Sequence, residues 1–365
     1  MFERRLTKPD GRKLILYSRE SRGPIEGRMV APSPRGVEGR PGSHLRWHPL
    51  RGEWVAYASH RQNRTFLPPK EYNPLQPSSS EETPTELPVG DYDAAVFENL
   101  FPTLMSDPGD PPHGLPVPVR PGYGACEVVV FTQDPSGSLG GLSLDHVELI
   151  FEIWAQRTAE LGARKGVEYV MPFENKGVEV GVTLQHPHGQ IYAYPVVPPI
   201  PAREMEEARR YFDMTALSLL GALIDNEEKE GTRMLYEGPH VVAFVPVCAR
   251  YSYEVWIAPR APVARLDLLT AGQRSDFARA LKTVLRKYDL LWNRPFPYLM
   301  AFHQGPTDGI DHPYAHLHLE ISPPMRSPGR LKYLAGTELG AGLFAADSLP
   351  EEKAAELRAV TVDFA

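Results

Sequence analysis

Cysteine is scarce in this sequence, since only Cys126 and Cys248 occur among 365 residues. Two cysteines cannot build a disulfide framework, and they lie too far apart for a CxxC metal knuckle. Scarce cysteine fits a reducing compartment, where disulfides are rare. We therefore expect a cytoplasmic protein without a disulfide framework.

Long apolar runs and an excess of basic charge are also lacking. No stretch approaches the roughly 20 apolar residues that a membrane-spanning helix needs, and the first residues, MFERRLTKPDGRKL, lack the apolar core of a secretory signal. The 39 Lys and Arg are outnumbered by 46 Asp and Glu, which gives a formal net charge of −7. We therefore expect neither membrane insertion nor general nucleic-acid binding. A few local arginines can still hold an anionic small molecule.

Proline and glycine are abundant, with 38 and 30 residues, which is typical of a chain with many turns and loops. Residues 1–45 are polar and are interpreted as an extended N-terminal arm. Residues 68–92 and 106–124 contain little apolar sequence and are predicted to be long loops.

Apolar runs between these segments predict the regular structure. Helices are predicted at about 143–164, 271–292 and 350–360, and Thr270 with Gln273 forms a capping-box pattern at the start of the second helix. Short runs that predict strands are Trp54–Ala58, Ala94–Phe97, Cys126–Thr132, Val167–Phe173, Gln190–Tyr194, Val241–Pro246, Tyr253–Ala258, Tyr298–His303 and His316–Ile321.

The two halves of the chain repeat one order of elements. Each has a strand, a long helix, a strand and a His-x-His strand that ends in Pro-Pro. This order predicts a duplicated α+β fold, with an antiparallel sheet and helices packed on it. Chance similarity of ordinary elements is the alternative. We expect an arm over 1–45, an N-terminal half over 46–200 and a C-terminal half over 201–365.

The string Gln185-His186-Pro187-His188-Gly189-Gln190 is the strongest chemical motif. Histidines two residues apart on an extended segment face the same side. An unprotonated imidazole is a competent nucleophile at neutral pH. Attack on phosphorus would give a phosphoramidate, which retains much of the transfer energy of an anhydride. The alternative is a surface turn that merely contains two hydrogen-bonded histidines.

A second group comprises His303, His316 and His318, with Glu204 as a possible fourth member. Three imidazoles and one carboxylate can enclose a zinc or iron ion. Hydrogen-bonded strand histidines are the alternative interpretation, because Glu204 is distant in sequence.

HPHGQIYAYP resembles the active-site signature of the galactose-1-phosphate uridylyltransferase family, a branch of the histidine-triad superfamily. LMSD at 104–107, FENKG at 173–177 and RSPGRLKYLAGTE at 326–338 support the resemblance. It implies that His188 is the nucleophile, that Gln190 hydrogen-bonds the transferring phosphoryl group and that His186 orients the site. It also implies that Glu204, His303, His316 and His318 hold one structural zinc or iron ion, with no organic cofactor.

The resemblance implies further substrate contacts, and also one departure from some relatives. The implied substrate-binding residues are Arg61, Arg64, Phe97, Asn99, Phe101, Asn175, Gly181, Thr183, Lys332 and Glu338. The last two would reach the sugar across a homodimer interface. Some relatives also have a zinc site that contains a CxxC pair and a distant histidine. Here these positions are occupied by Asn73-Pro-Leu-Gln76 and Pro135, so we expect that site to be absent and the nearby loop to be held by other means.

The implied reaction converts UDP-glucose and galactose 1-phosphate into glucose 1-phosphate and UDP-galactose, through a uridylyl-histidine intermediate. Two alternatives remain open at this stage. The chain could be another nucleotidyl transferase or phosphorylase of the superfamily, acting on an ADP-sugar or a dinucleoside polyphosphate. It could also be a nucleotide-binding module without catalysis.

Overall fold

The computed structural model describes residues 1–21, 42–63, 72–78, 80 and 82–363. Eleven strands of these ranges form one antiparallel sheet in the order β1-β2-β5-β7-β9-β8-β13-β14-β12-β11-β10. Its strands are β1 (Phe2–Thr7), β2 (Lys13–Ser18), β5 (Ala94–Glu98), β7 (Ala125–Val130), β8 (Tyr169–Lys176), β9 (His188–Tyr194), β10 (Met234–Glu237), β11 (Val241–Phe244), β12 (Val255–Pro259), β13 (Tyr298–His303) and β14 (His318–Ser322).

The order of the strands repeats about the centre of this sheet. Outward from the β8–β13 pair, the first half runs β8, β9, β7, β5 and the second runs β13, β14, β12, β11. The two halves therefore contribute matching strands to one continuous sheet. The sequence-based expectation of a duplicated α+β fold with packed helices is confirmed.

Five α-helices in the described ranges accompany the sheet. They are α1 (Leu144–Gly162), α2 (Pro199–Thr215), α3 (Leu219–Glu230), α4 (Ala271–Leu291) and α5 (Pro350–Ala359). The three predicted helices correspond to α1, α4 and α5, and the capping box of Thr270 and Gln273 is present at the start of α4. The described part of the chain contains no helix that is both long enough and apolar enough to cross a bilayer.

Helices α1 and α4 contact each other and cover one face of the sheet. Trp154 of α1 and Phe277 of α4 are fully buried in the main core, together with Ile191 of β9. Side chains alternate between the faces of a strand. His188 and Gln190, which flank Gly189, therefore lie on the opposite face, and that face carries the chemistry.

A three-stranded sheet in the order β4-β3-β6 is formed separately. Its strands are β3 (His44–His48), β4 (Glu53–Tyr57) and β6 (Val119–Pro121). A short β15–β16 pair, Met325–Ser327 with Arg330–Leu331, follows β14.

The interpretation of residues 1–45 as an extended arm is wrong for residues 2–18. These residues form β1 and β2, and β2 pairs with β5 inside the large sheet. Leu14, Leu16 and Tyr17 of β2 are buried, so the hydrophobic effect holds this hairpin on the core. The predicted loop over 106–124 contains β6, whereas the described part of the 68–92 loop has no helix or strand.

Candidate functional site

His188 is the first residue of β9 and its side chain is half-buried. Its Nδ1 lies 2.7 Å from the carbonyl oxygen of His186, so the ring donates the Nδ1 proton to the backbone. This bond fixes the tautomer in which Nε2 carries the lone pair. The backbone carbonyl of His186 thus orients the imidazole of His188.

His186 is buried and both of its ring nitrogens are hydrogen-bonded. The side-chain amide of Asn73 donates to Nδ1 over 2.9 Å, and Nε2 donates to the carbonyl oxygen of Thr132 over 2.7 Å. Burial lowers the pKa of His186, so the ring is neutral at neutral pH. Asn73 therefore ties the 72–78 segment to the residue whose carbonyl orients His188.

Gln190 lies in a row of side chains that crosses four strands. Phe97 pairs with Val128, Val128 pairs with Gln190, and Gln190 pairs with Phe173. The amide of Gln190 thus lies on the same face as His188, between apolar neighbours. Phe97 is buried in this row, on the face that carries the motif.

A cavity of about 450 Å³ opens beside His186 and His188. This volume lies in the range of small-molecule sites. Its lining includes the Pro135–Ser138 turn, Asn175 and Lys176. The cavity therefore brings the HPH motif and FENKG together, although eight residues separate these motifs in the sequence.

Glu174 also lines this cavity, and the pKa of its carboxyl group is raised. Burial raises its pKa to about 7, against the opposing effect of the Lys176 ammonium group. The hydroxyl of Tyr298 donates to Glu174 over 2.9 Å, and Lys176 pairs with Asp289 of α4 at the same distance. These contacts join the wall of the cavity to the C-terminal half of the chain.

The predicted contacts in the SHRQNR segment are only partly described. Arg61 lies in a 3₁₀ turn over Ser59–Asn63, and its Nη1 donates to the carbonyl oxygen of Phe101 over 2.7 Å. Phe101 in turn donates its backbone N–H to the side chain of Asn99 over 2.9 Å. Arg61, Asn99 and Phe101 are thus brought together, whereas Arg64 lies outside the described residues.

The remaining predicted contacts fall into two groups. Asn175 lines the cavity, and its buried side-chain oxygen has no hydrogen-bond partner within the described ranges. Gly181 and Thr183 lie on the loop between β8 and β9, where Gly181 has a φ of +79° and ends a 3₁₀ turn. Val182 and Leu184 of the same loop line the cavity beside His188.

Lys332 and Glu338 lie near each other on the segment that follows β16 (Arg330–Leu331), with Lys332 Nζ 3.7 Å from Glu338 Oε1. Glu338 accepts the backbone N–H groups of Ala335 and Ala345. These two residues do not line the cavity beside His188 within one chain. Their predicted role across a dimer interface stays a prediction.

Three of the four predicted metal ligands are close together. Glu204 of α2, His303 of β13 and His318 of β14 form a cluster with Glu320, and one ligand atom of each lies within 4.8 Å of the others. Burial opposes the charged form of His303, but the hydrogen-bonded Glu204 carboxylate outweighs it and raises the pKa of His303. Burial lowers the pKa of His318. Imidazole and carboxylate donors suit a divalent transition metal.

His316, the fourth predicted ligand, is not part of this cluster. The hydroxyl of Ser218 donates to its Nδ1 over 2.8 Å, and its Nε2 donates to the carbonyl oxygen of Pro259 over 2.8 Å. Burial lowers the pKa of His316 to about 4, so the ring is neutral. Its place among the ligands stays a prediction.

The chain is similar to known proteins over most of its length. The family model described as the N-terminal domain of galactose-1-phosphate uridyl transferase matches residues 38–198, and the C-terminal domain model matches residues 204–364. The galactose-1-phosphate uridylyltransferase of Thermotoga maritima is 37% identical over 325 residues, which covers 87% of this chain and 99% of that relative.

The chain belongs to the galactose-1-phosphate uridylyltransferase family. A solved structure of a uridylyltransferase is 32% identical, with a TM-score of 0.77 and coverage of 87% of this chain and 97% of that one. An ADP-glucose phosphorylase from Arabidopsis thaliana, solved with ADP-glucose bound, is 23% identical over 88% of this chain and 100% of that one, with a TM-score of 0.64. The latter likeness shows a shared fold alone.

Membership of this uridylyltransferase family agrees with the resemblance carried by HPHGQ and its neighbouring motifs. Sequence reasoning did not identify Asn73 as the partner of His186, nor Glu320 as a neighbour of the histidine cluster. Asn73 lies 113 residues from His186, so no local pattern connects them. Glu320 had a usable signal, because it stands two residues after His318 as Gln190 stands two residues after His188.

Proposed function

We propose that this chain transfers a uridylyl group from UDP-glucose to galactose 1-phosphate through a covalent bond to His188. The observation that supports this most is the hydrogen bond from Nδ1 of His188 to the His186 carbonyl oxygen. This bond keeps the proton on Nδ1, so Nε2 is the nucleophilic nitrogen. It also stabilises the positive charge that develops on the ring during attack. Membership of the uridylyltransferase family supplies the substrate class.

In the first half-reaction, the Nε2 lone pair of His188 attacks the α-phosphorus of UDP-glucose. A nitrogen–phosphorus bond forms while the bond from that phosphorus to the bridging oxygen breaks, and glucose 1-phosphate leaves with the electron pair. His188 keeps its Nδ1 proton throughout. The His186 carbonyl oxygen holds that proton, so no external base is needed for this step.

In the second half-reaction, a phosphate oxygen of galactose 1-phosphate attacks the uridylyl phosphorus. The nitrogen–phosphorus bond breaks, its electron pair returns to Nε2 and UDP-galactose is released. Gln190, on the same face of β9, donates its amide N–H to a non-bridging oxygen of the transferring group in both steps. Its role is the stabilisation of charge on the phosphoryl oxygens.

Substrate binding beyond the reacting phosphate follows the remaining predicted contacts. Arg61 and Arg64 would bind phosphate oxygens, because a guanidinium fork suits them. Phe97, Asn99 and Phe101 would lie near the uridine, and Asn175, Gly181 and Thr183 near the phosphates. Lys332 and Glu338 would reach the sugar from the second subunit of a homodimer.

A single divalent metal ion, zinc or iron, would occupy the cluster in the C-terminal half. The predicted ligands are Glu204, His303, His316 and His318, and the nitrogen and oxygen donors of this part of the chain fit such an ion. It would connect α2 to β13 and β14 in a structural role. We propose no organic cofactor, a cytoplasmic location, and two halves that divide at about residue 200.

Radioactive labelling tests the covalent intermediate. Incubation of the purified chain with UDP-glucose labelled in the uridylyl phosphate is expected to leave acid-labile label on the protein, and galactose 1-phosphate is expected to discharge it. His188→Ala should lose both labelling and turnover. His312→Ala is the matched control, because that ring bonds Asp308 and Tyr314 away from the site. An active enzyme that carries no label would refute the mechanism.

A donor panel separates this proposal from the other nucleotidyl transferases of the superfamily. UDP-glucose should be used at least about 100-fold better than ADP-glucose, by kcat/KM, with galactose 1-phosphate as the acceptor. Preference for ADP-glucose with inorganic phosphate would instead identify a phosphorylase. Nucleotide binding without turnover of any donor would identify a binding module. Light scattering at several protein concentrations tests the homodimer.

A further inference from the structure

The β1–β2 hairpin lies outside the residues that the two family models match, since the first model begins at residue 38. Its turn is closed by the backbone N–H of Lys8, which donates to the carbonyl oxygen of Arg12 over 2.8 Å. These two residues are only 2% and 3% exposed. Lysine and arginine are rarely buried this deeply unless they are paired. The partners of the two cations therefore indicate what the hairpin is attached to.

Both cations bind one buried carboxylate, that of Glu86. The guanidinium group of Arg12 donates to its two oxygens over 3.1 and 2.8 Å. The ammonium group of Lys8 donates to the carbonyl oxygen of Glu86 over 2.7 Å and lies 3.0 Å from the carboxylate. A forked contact between an arginine and a carboxylate fixes direction as well as distance. The hairpin therefore holds both the main chain and the side chain of Glu86.

Glu86 in turn holds the loop that contains Asn73. Its backbone N–H donates to the carbonyl oxygen of Pro74 over 2.8 Å. The side-chain oxygen of Asn73 accepts the N–H of Leu75 over 3.0 Å, and its amide group donates to Nδ1 of His186 over 2.9 Å. The loop is thus fixed by a backbone bond to Glu86 at one residue and by a side-chain bond to the HPH motif at the residue before it.

Apolar packing reinforces the connection between the hairpin and this loop. Leu14 and Leu16 of β2 belong to the same buried cluster as Leu75 and Leu87. Leu75 lies in the loop, and Leu87 directly follows Glu86. Burial of these side chains is favourable only while the hairpin and the loop stay in contact. A displaced hairpin would therefore also displace the loop.

Arg12 has a second contact, on the segment that is predicted to lie near the uridine. Its Nη1 donates to the carbonyl oxygen of Glu98 over 2.8 Å. Asn99 follows directly, and its backbone N–H donates to the carbonyl oxygen of Cys126 over 2.8 Å. Arg12 therefore contacts both the residue that holds the Asn73 loop and the residue that precedes Asn99.

A contribution to stability alone is the alternative role for these cations. An ion pair at this depth seldom stabilises a fold more than apolar residues of similar volume would, because both charges lose their hydration. Its hydrogen bonds are directional, however, and here they end on Glu86 and Glu98. These bonds suit the fixing of geometry better than the gain of stability.

We infer that Lys8 and Arg12 position the nucleophile His188, through Glu86 and the loop of Asn73. Neither cation is among the residues that line the cavity beside His188, so both are positioning residues. This inference rests on the uridylyl transfer proposed above, and it assigns a role to a hairpin outside the matched family models. The loop was expected to be held by means other than a metal ion, and these contacts provide them.

Single-turnover labelling of His188 by UDP-glucose tests the inference, because it gives the uridylylation rate constant and the half-saturating donor concentration separately. Lys8→Met should lower the rate constant about 5-fold, since a displaced nucleophile reacts more slowly, and should change the half-saturating concentration by less than about 2-fold. Arg12→Met should lower the rate constant equally. It should also raise the half-saturating concentration at least about 3-fold, because the contact with Glu98 is lost as well.

Arg5→Met is the matched control. Arg5 belongs to the same hairpin, but it is exposed and pairs with Glu3 and Glu160. Both kinetic constants of this variant should stay within about 2-fold of those of the parent, because exposed ion pairs contribute little.

A double-mutant cycle separates positioning from a general loss of stability. If Lys8 acts through Asn73, the rate constant of the double variant Lys8→Met/Asn73→Ala should lie within about 2-fold of that of Asn73→Ala alone. Independent losses of about 5-fold and about 10-fold would instead multiply to about 50-fold. All rates are measured well below the lowest melting temperature of the set, so that every variant is folded.

Glu86→Gln provides a second route to the same test where a variant of either cation does not fold. It keeps the volume of the side chain and the backbone bonds of residue 86. Its rate constant should fall about 5-fold, while the half-saturating concentration of UDP-glucose stays within about 2-fold, because the bond from Arg12 to Glu98 remains.

Folded Lys8→Met and Glu86→Gln chains that label at the parent rate would overturn the inference. Losses that multiply in the double-mutant cycle would overturn it equally. A parent chain that takes up no label would refute the proposed reaction and the positioning role together. A labelled parent with parent-like variants would refute the positioning role alone, so the two failures are distinguishable.

Discussion

At the scale of single residues, a chain of hydrogen bonds from Asn73 through His186 to His188 holds the site in place. Asn73→Ala would leave Nδ1 of the buried His186 without its 2.9 Å donor. We expect a loss of about 1–2 kcal/mol in the free energy of unfolding, since a buried group loses its partner. The rate of uridylyl transfer should fall about 10-fold, because the carbonyl that orients His188 is less firmly held.

Thermal or urea unfolding and initial transfer rates measure both effects of Asn73→Ala. Gln76→Ala is the control, because Gln76 is exposed at the other end of the same short segment. Parent-like stability and rate in Asn73→Ala would show that this bond does not hold the site.

Glu174 gives the stability of the chain a pH dependence. Its folded-state pKa of about 7 lies above its ordinary value of 4.5, so the folded chain retains a proton that the unfolded chain has already lost. The stability contributed by the neutral carboxyl is complete below about pH 4.5 and is lost as the pH rises through 7. At about 1.4 kcal/mol per pKa unit, the loss is on the order of 3 kcal/mol.

Glu174→Gln removes this titration and can still accept the hydrogen bond from Tyr298. Relative to the parent, the variant should therefore gain stability between pH 5 and pH 8. Urea unfolding at several pH values measures the difference, and Glu206→Gln, at an exposed glutamate of α2, is the control. A difference that stays constant with pH would contradict the prediction.

At the scale of secondary-structure elements, the sequence predicted those helices whose residue pattern is local. The amphipathic spacing that predicted helices at 143–164 and 271–292 corresponds to α1 and α4 within two residues at each end. Helix α2 was not predicted, since polar and charged residues dominate its sequence and Pro201 is its only buried residue. Residue types alone gave Glu204 only as a possible fourth member of the histidine group, and the family resemblance implied that it is a ligand.

The hairpin of β1 and β2 was missed for a different reason. Charged residues such as Arg4 and Arg5 dominate β1, and they conceal the apolar run Leu14–Tyr17 that follows the turn. That run is buried in the structure and was the signal that could have identified β2. The contact of Asn73 with His186 had no such local signal, because it depends on the tertiary fold.

The capping box of α4 provides a prediction about this helix. The hydroxyl of Thr270 accepts the N–H of Gln273 over 3.2 Å, and the Gln273 side chain accepts the N–H of Thr270 over 2.9 Å. Thr270→Ala should lower the free energy of unfolding by about 1 kcal/mol, which urea titration can measure. Thr270→Ser keeps the hydroxyl and should stay within about 0.5 kcal/mol of the parent. Equal losses in both variants would rule out the cap as the cause.

At the scale of the whole molecule, the two halves are joined through the β8–β13 ladder. Phe151, Phe277 and Phe302 from both halves also share one aromatic cluster. Expression of residues 1–200 alone would expose β8 as an unpaired strand and leave that cluster half empty. We expect this fragment to aggregate or to be poorly folded.

Size-exclusion chromatography and circular dichroism of the fragment, alone and mixed with residues 201–365, measure this effect. The mixture should recover soluble, folded protein where each fragment alone does not. A monomeric, cooperatively melting 1–200 fragment would show that the halves are independent folding units.

The outermost strands of the large sheet have further consequences for self-association. One border is β1, whose Glu3, Arg4 and Arg5 present charge along its length. The other is β10, which is only four residues long, has an irregular register with β11 and contacts α5. The charges along β1 disfavour pairing with a strand of another chain. The short length of β10 and its contact with α5 have the same effect at the other border. Two copies of this chain should therefore meet through loops or sheet faces, and the chain should resist linear polymerisation even at high concentration.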